Sequence, residues 1–373
     1  MQIGPRYAQM IGMRAALGIL CLQGLLLAGT TRASPMQGVP VVPPNAAVPA
    51  VKPPVTPGAA QPGAAAPQPL SPQDLLFASP TTLDHIGRVV ASVMIDGKGP
   101  FRFIIDTGAN HSTISPQLAT ALGLRPSLQL AMRVTGVTGS ADVATVPIEK
   151  LQAGDLVIAD SRFPVILSPI MDGADGILGA AGLQEERLLV DFSHNRVIIT
   201  RSHGQSVPWG FTRVWANRLH GGLLSVPGEV GDVRVTAIID TGSEHTLGNQ
   251  ALYRALYARG RGKGKYLDAN VYGATNQVGA GKLQLAPLID LGAIKIGGVA
   301  LVFGDFHIFK AWGMTSQPAM ILGMDVLGTV KAFAIDFPHQ EIAIDSQYDY
   351  DSAVRAPLAC RFGGGLPAAL CRG

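Results

Sequence analysis

The stretch Ile104-Ile105-Asp106-Thr107-Gly108 recurs, residue for residue, as Ile238-Ile239-Asp240-Thr241-Gly242, 134 positions downstream. A histidine stands five residues after each aspartate, at His111 and His245. A hairpin pattern precedes each copy. Val89–Ile95 and Phe101–Ile105 flank a turn at Asp96-Gly97-Lys98-Gly99, and Leu223–Val226 and Val233–Ile239 flank one near Gly231-Asp232. Downstream, Val134-Thr135-Gly136-Val137-Thr138 is matched by Val271-Tyr272-Gly273-Ala274-Thr275. Then come Gly176-Ile177-Leu178-Gly179 and Met320-Ile321-Leu322-Gly323, and after each a strand ending in an acid, Leu188–Asp191 and Phe333–Asp336. These features, in one order at similar spacing, mark an internal repeat.

The repeat divides the folded body into two similar lobes, 83–201 and 219–349, with 202–218 as the linker between them. Short β-branched runs between glycine-rich turns dominate both. A helical stretch follows each Asp-Thr-Gly, at Pro116–Leu122 and at Gln250–Tyr257. Composition agrees with an all-β body: Gly (45) and Pro (27) make about 19% of 373 residues, against roughly 12% in an average chain. The basic run Arg259-Gly260-Arg261-Gly262-Lys263-Gly264-Lys265 reads as a solvated loop.

Outside the repeat the chain changes character. Residues 1–33 carry Arg6 and Arg14, an apolar run Ala15–Gly29 shorter than a membrane span, and Thr31-Arg32-Ala33, so they read as a signal peptide cleaved before Ser34. An uncleaved anchor is the alternative. Cleavage would remove three of the 29 basic residues, leaving 26 against 26 acidic ones and no net charge. That argues against a nucleic-acid partner, whose binding rests on Lys/Arg–phosphate contacts. Residues 34–82 read as a disordered Pro/Ala-rich tether, with twelve prolines between Ser34 and Pro72. Residues 350–373 read as a tail, where Cys360 and Cys371 either pair in an oxidising compartment or stay free.

A strand delivering Asp-Thr-Gly puts a carboxylate at a buried strand's end, where glycine allows a tight turn and close backbone approach. A single such turn is commonly just a capped loop. Two in matching lobes invite a pseudo-twofold arrangement with the carboxylates face to face. Like charges about 3 Å apart do not both ionise readily, so the pair shares one proton. Its ionised member can deprotonate a water, and its protonated member can donate to a carbonyl oxygen.

With these motifs in both halves, the chain resembles the pepsin/retropepsin class of aspartic proteases, in the signal-peptide-bearing bacterial retropepsin-like branch. The similarity covers about 83–349. It implies a bilobal all-β fold with the active site between the lobes, and a catalytic dyad of Asp106 and Asp240. Thr107 and Thr241 would bond across to the opposite loop, Gly108 and Gly242 would permit the turns, and Ser243 would support the site. Ile177-Leu178-Gly179 and Ile321-Leu322-Gly323 match the later apolar-apolar-Gly element. Gly136, Thr138 and Gly139, with Tyr272 and Gly273, mark flap candidates, each of which could also be an ordinary hairpin.

Ala109 stands where the second lobe has Ser243. Loss of a hydroxyl near one carboxylate leads us to expect activity at milder acidity than in an enzyme with hydroxyls in both lobes. His111 and His245 read as structural, bonded to nearby backbone, and Asp175, Asp191, Asp325 and Asp336 as turn caps. Zincin, nucleophile-elbow and P-loop motifs are missing from the sequence, so no metal or other cofactor is expected. The expected protein is a monomeric endopeptidase of extended polypeptide segments, periplasmic or secreted, meeting the membrane only through its signal. The alternatives are a retropepsin-like module that binds peptides without cutting them, and a dimer in which each lobe pairs with its copy in another chain.

Overall fold

The computed structural model describes residues 75–80, 82–83, 87–154, 156–204, 207–261, 264–292 and 294–345. Residues 1–33, read as a signal peptide, most of the stretch read as tether, and the tail with Cys360 and Cys371 lie outside them. The body is all-β and bilobal. In the first lobe, Val89–Ile95 pairs antiparallel with Lys98–Asp106. Their turn is tighter than the four residues expected. Asp96 and Gly97 alone form it, both at positive φ (48° and 75°), and Lys98 already pairs with Ile95. Such a two-residue turn matches the right-handed twist of its strands. Lys98-Gly99-Pro100 reads locally as a loop, but pairing with the neighbouring strand extends it.

Lys98–Asp106 runs between Val89–Ile95 on one side and Gly176–Gly179, parallel to it, on the other. A strand covered on both faces is apolar without alternation, and Phe103, Ile104 and Ile105 are all fully buried. The second lobe repeats the plan. Leu224–Val230 and Val233–Ile239 turn at Gly231-Asp232, and Val233–Ile239 lies parallel to Ala319–Leu322. The repeated motifs are thus register neighbours: Ile104 faces Ile177 and Ile105 faces Leu178, as Ile238 faces Ile321 and Ile239 faces Leu322.

This register explains the glycine that ends each apolar pair. A Cβ at Gly179 would lie 2.6 Å from the carbonyl carbon of His111, and one at Gly323 would lie 2.8 Å from that of His245. The loop after each aspartate therefore packs backbone to backbone on the strand beside it. Ser112 Oγ and Thr246 Oγ1 accept the amides of Gly179 and Gly323, at 3.1 Å each, and tie the same layers together.

A six-stranded sheet joins the lobes, in the order Leu75–Pro80, Arg196–Arg201, Glu186–Asp191, Ala332–Asp336, Glu341–Asp345, Thr212–Trp215. At its centre, Glu186–Asp191 of one lobe pairs with Ala332–Asp336 of the other. Two expectations are corrected here. The folded body reaches back to Leu75, inside the stretch 34–82 read as tether, because Leu75–Pro80 pairs with Arg196–Arg201. Part of the 202–218 linker is strand: Thr212–Trp215 pairs with Glu341–Asp345, and Asn217–Arg218 with Ser225 and Leu224. One buried apolar cluster runs through both lobes and this sheet.

Replacing Gly323 by alanine should destabilise the protein by about 1–3 kcal/mol, since the atoms in the way are backbone. Thermal unfolding of Gly323→Ala measures this, and an unchanged midpoint would contradict the packing described.

Candidate active site

Each central strand ends at an aspartate, and the two loops that follow interlock. Thr107 Oγ1 donates to the carbonyl of Ile239 at 2.9 Å, and Thr241 Oγ1 donates to that of Ile105 at 2.7 Å. Each hydroxyl also accepts the other threonine's amide, both at 3.1 Å. Both side chains are buried, so four polar groups are satisfied only if the lobes stay together.

The lock brings Asp106 and Asp240 close enough for each to influence the other's ionisation. A Cβ at Gly108 would lie 2.3 Å from Asp240 Cγ, and one at Gly242 would lie 2.2 Å from Asp106 Cγ. Each carboxyl therefore rests on the other lobe's glycine, where no other residue fits. The amides of Gly108 and Gly242 each donate to their own aspartate's Oδ1 at 2.9 Å.

Burial lifts both carboxyls above the ordinary range. Asp106 is lifted less, held back by the Asp240 side chain, the Gly108 amide, the Arg88 guanidinium and the Ala109 amide. Asp240 is lifted well above, by burial and then by the charge of Asp106. That ordering describes a pair retaining one proton over a wide pH range.

Ser243 does not act as expected. Its hydroxyl donates to the carbonyl of His245 at 2.8 Å, and its backbone amide is what reaches Asp240 Oδ1, at 3.1 Å. An alanine supplies the same amide, so the Ala109/Ser243 difference does not set the acidity.

The histidines also differ from expectation. His111 is exposed, and the His245 ring pairs with the Glu244 carboxylate at 3.3 Å rather than with backbone. Their main chains, packed on Gly179 and Gly323, are what the repeat preserves. Asp175 accepts the Arg102 amide at 2.8 Å. Asp191 and Asp336 cap turns by accepting the amides of His194 and His339, at 3.1 Å each. Asp325, also read as a turn cap, instead reaches across the lobe. It accepts the amide (2.9 Å) and hydroxyl (2.7 Å) of Thr246, and burial lifts its carboxyl to about 6. The matching position of the first lobe, two beyond Gly179, is Ala181.

Two hairpins roof the dyad, Ser127–Thr135 with Ser140–Ala153 and Leu267–Tyr272 with Val278–Leu285. Their tips meet. Thr138 Oγ1 lies 3.3 Å from Thr275 Oγ1, and Cβ atoms at Gly136 and Gly273 would lie 3.1 Å from the Ala274 amide and 2.9 Å from Thr138 Oγ1. Gly139 lies against the side-chain amide of Gln277 from the other hairpin. Ser168 Oγ donates to the Gly273 carbonyl at 2.6 Å, and Ser140 Oγ bonds His307 Nε2 at 2.8 Å. Between roof and floor is a cavity of about 1630 Å³, lined by Asp106, Asp240, Gly136, Tyr272 and Gly273. That is larger than the roughly 300–1,000 Å³ typical of small-ligand pockets. Among the described residues no group of three or more His, Cys, Asp or Glu is placed to hold a metal ion.

Compared with known sequence families, the chain matches one described as Aspartyl protease, over residues 91–181 and 226–326, together more than half of its length. Each matched segment holds one Asp-Thr-Gly and one apolar-apolar-Gly element. No curated protein matches the sequence significantly.

Asp325 carries a pH consequence. Its carboxyl sits at about 6 in the fold against 3.8 ordinarily, so the folded state holds the extra proton between those values. Stability should therefore fall as pH rises from 4 to 6, and fall less steeply in Asp325→Asn. Unfolding midpoints across that range, equally steep in both proteins, would contradict the shift.

Proposed function

The chain belongs to the aspartyl protease family, and on that premise we propose that it is an aspartic endopeptidase cutting extended polypeptide segments. The observation that carries this reading is the dyad itself: two half-buried carboxyls lining one cavity, each seated on the other lobe's glycine. Such a pair holds one proton and one negative charge. The ionised carboxylate takes a proton from a water, whose oxygen attacks the peptide carbonyl carbon. The protonated partner gives its proton to the carbonyl oxygen, forming a neutral diol. The proton taken from water then passes to the amide nitrogen as the C–N bond breaks. One diol hydroxyl returns its proton to the pair, leaving an acid, an amine and a dyad with one proton again.

The edges of the two roofing hairpins suit an extended chain held by strand-like hydrogen bonds. Both hairpins would serve as flaps, and the tips must part to admit a polymer. The partner is thus a protein or peptide, with no cofactor and no nucleic acid. The protein would act as a monomer, since a single chain supplies both aspartates. Residues 1–33 would direct it to the periplasm or outside the cell, and residues 34–74 would serve as a spacer.

Mass-spectrometric analysis of a peptide library incubated with the purified protein from pH 3 to 8 tests this reading. The wild type should cut best in mild acid, because burial lifts both carboxyls. Asp106→Asn and Asp240→Asn should each lower the rate at least about 100-fold. No cutting by folded wild type at any pH would favour the alternative, a module that holds peptides without cleaving them.

A further inference from the structure

The two lobes differ at one buried position beside the dyad. Val90 pairs with Ile104 in the first lobe and Ser225 with Ile238 in the second. Two residues before each stand Arg88 and Leu223. Both are buried, Arg88 at 2% exposure and Leu223 at 0%. A buried guanidinium is costly to desolvate unless negative charge lies near. Arg88 lines the catalytic cavity together with Asp106 and Asp240, and its Nη1 lies 3.5 Å from the carbonyl oxygen of Gly242. Gly242 is the residue on which the Asp106 carboxyl rests. The guanidinium therefore comes from the first lobe and reaches the second lobe's loop at the glycine on which the Asp106 carboxyl rests.

We infer that Arg88 is a positioning residue that breaks the symmetry of the dyad, making Asp106 the ionised member and leaving the shared proton on Asp240. The inference rests on the proteolytic reading above and assigns its roles: Asp106 deprotonates the water and Asp240 protonates the substrate carbonyl. Backbone alone does not decide this, because each aspartate accepts its loop amides in the same way. The direction of charge influence agrees. Arg88 stabilises ionised Asp106, and it is not among the principal influences on Asp240.

Other ionisable groups face the same cavity. His111 and, from the second lobe, Glu244, His245 and Asp325 flank the floor. Arg133 and Asp268 come from the two hairpins, and Asp172 from the loop after Ser168. These are common to wild type and Arg88 variants, so a difference between the proteins isolates the guanidinium.

The test compares pH profiles of kcat/KM for wild type, Arg88→Gln and Arg88→Lys on a peptide the wild type cuts. Glutamine keeps a hydrogen-bond donor and removes the charge. Without that charge the pair stays fully protonated to higher pH, so the acid limb should move up by about one pH unit or more. Lysine should bring it back towards the wild-type position. A residue that only held the loop in shape would lower activity without moving the limb, and an unmoved limb in folded Arg88→Gln overturns the inference. Arg88→Leu, with the second lobe's residue, takes its place should the glutamine variant not fold. If the wild type cuts nothing, the proteolytic reading fails but Arg88 is still tested, by carboxyl ¹³C NMR titration of both proteins. Asp106, identified by its loss in Asp106→Asn, should ionise at higher pH in Arg88→Gln, and ionisation at the same pH overturns the inference.

Discussion

Two buried threonine hydroxyls, Thr107 and Thr241, each donate to a backbone carbonyl in the opposite lobe and accept an amide from the opposite loop. A buried hydroxyl or amide left without a partner costs about 1–3 kcal/mol, so separating the loops would expose several such costs at once. The rest of the site follows from this constraint. With the loops locked, each aspartate must stand over the other lobe's glycine, and only a residue without Cβ leaves room. The loops then press on the strands beneath, which is why Gly179 and Gly323 close the apolar pairs. The inter-lobe sheet holds the same relation from below, through Glu186–Asp191 against Ala332–Asp336.

A symmetric frame alone is a poor acid–base machine, because one carboxyl must give a proton while the other takes one. The chain keeps the frame symmetric and places its differences around it. Arg88 occupies the position that Leu223 holds in the other lobe, Ala109 that of Ser243, and Ala181 that of Asp325. The backbone amides that reach the carboxylates are shared by both lobes. Charge is not shared: Arg88 lies on one side, while Asp325 and Glu244 lie on the other.

The frame was legible in the sequence wherever a repeat stated it twice. The identical pentapeptides disclosed the aspartates, and the order of later motifs disclosed the lobes. What stayed hidden depends on partners remote in sequence. Leu75–Pro80 sits beside proline-rich chain and becomes a strand by pairing with Arg196–Arg201. Thr212–Trp215 reads as linker until Glu341–Asp345 lies beside it. The Ser243 hydroxyl was expected on a carboxylate because its position permits that bond, but a nearer carbonyl takes it. Arg88 gave no local signal, since the loop it approaches is 154 residues away. Aligning the two halves and asking where a charge replaces an apolar residue would have found it.

The central claim is that the two lobes build one proton-sharing pair. Carboxyl ¹³C NMR of aspartate-labelled wild-type protein, titrated from pH 2 to 9, tests it most directly. The account predicts that Asp106 and Asp240 lose their protons in two well-separated steps, the second well above the usual aspartate range, with each signal responding to both steps. Two independent transitions near the ordinary value of 3.8 would contradict it.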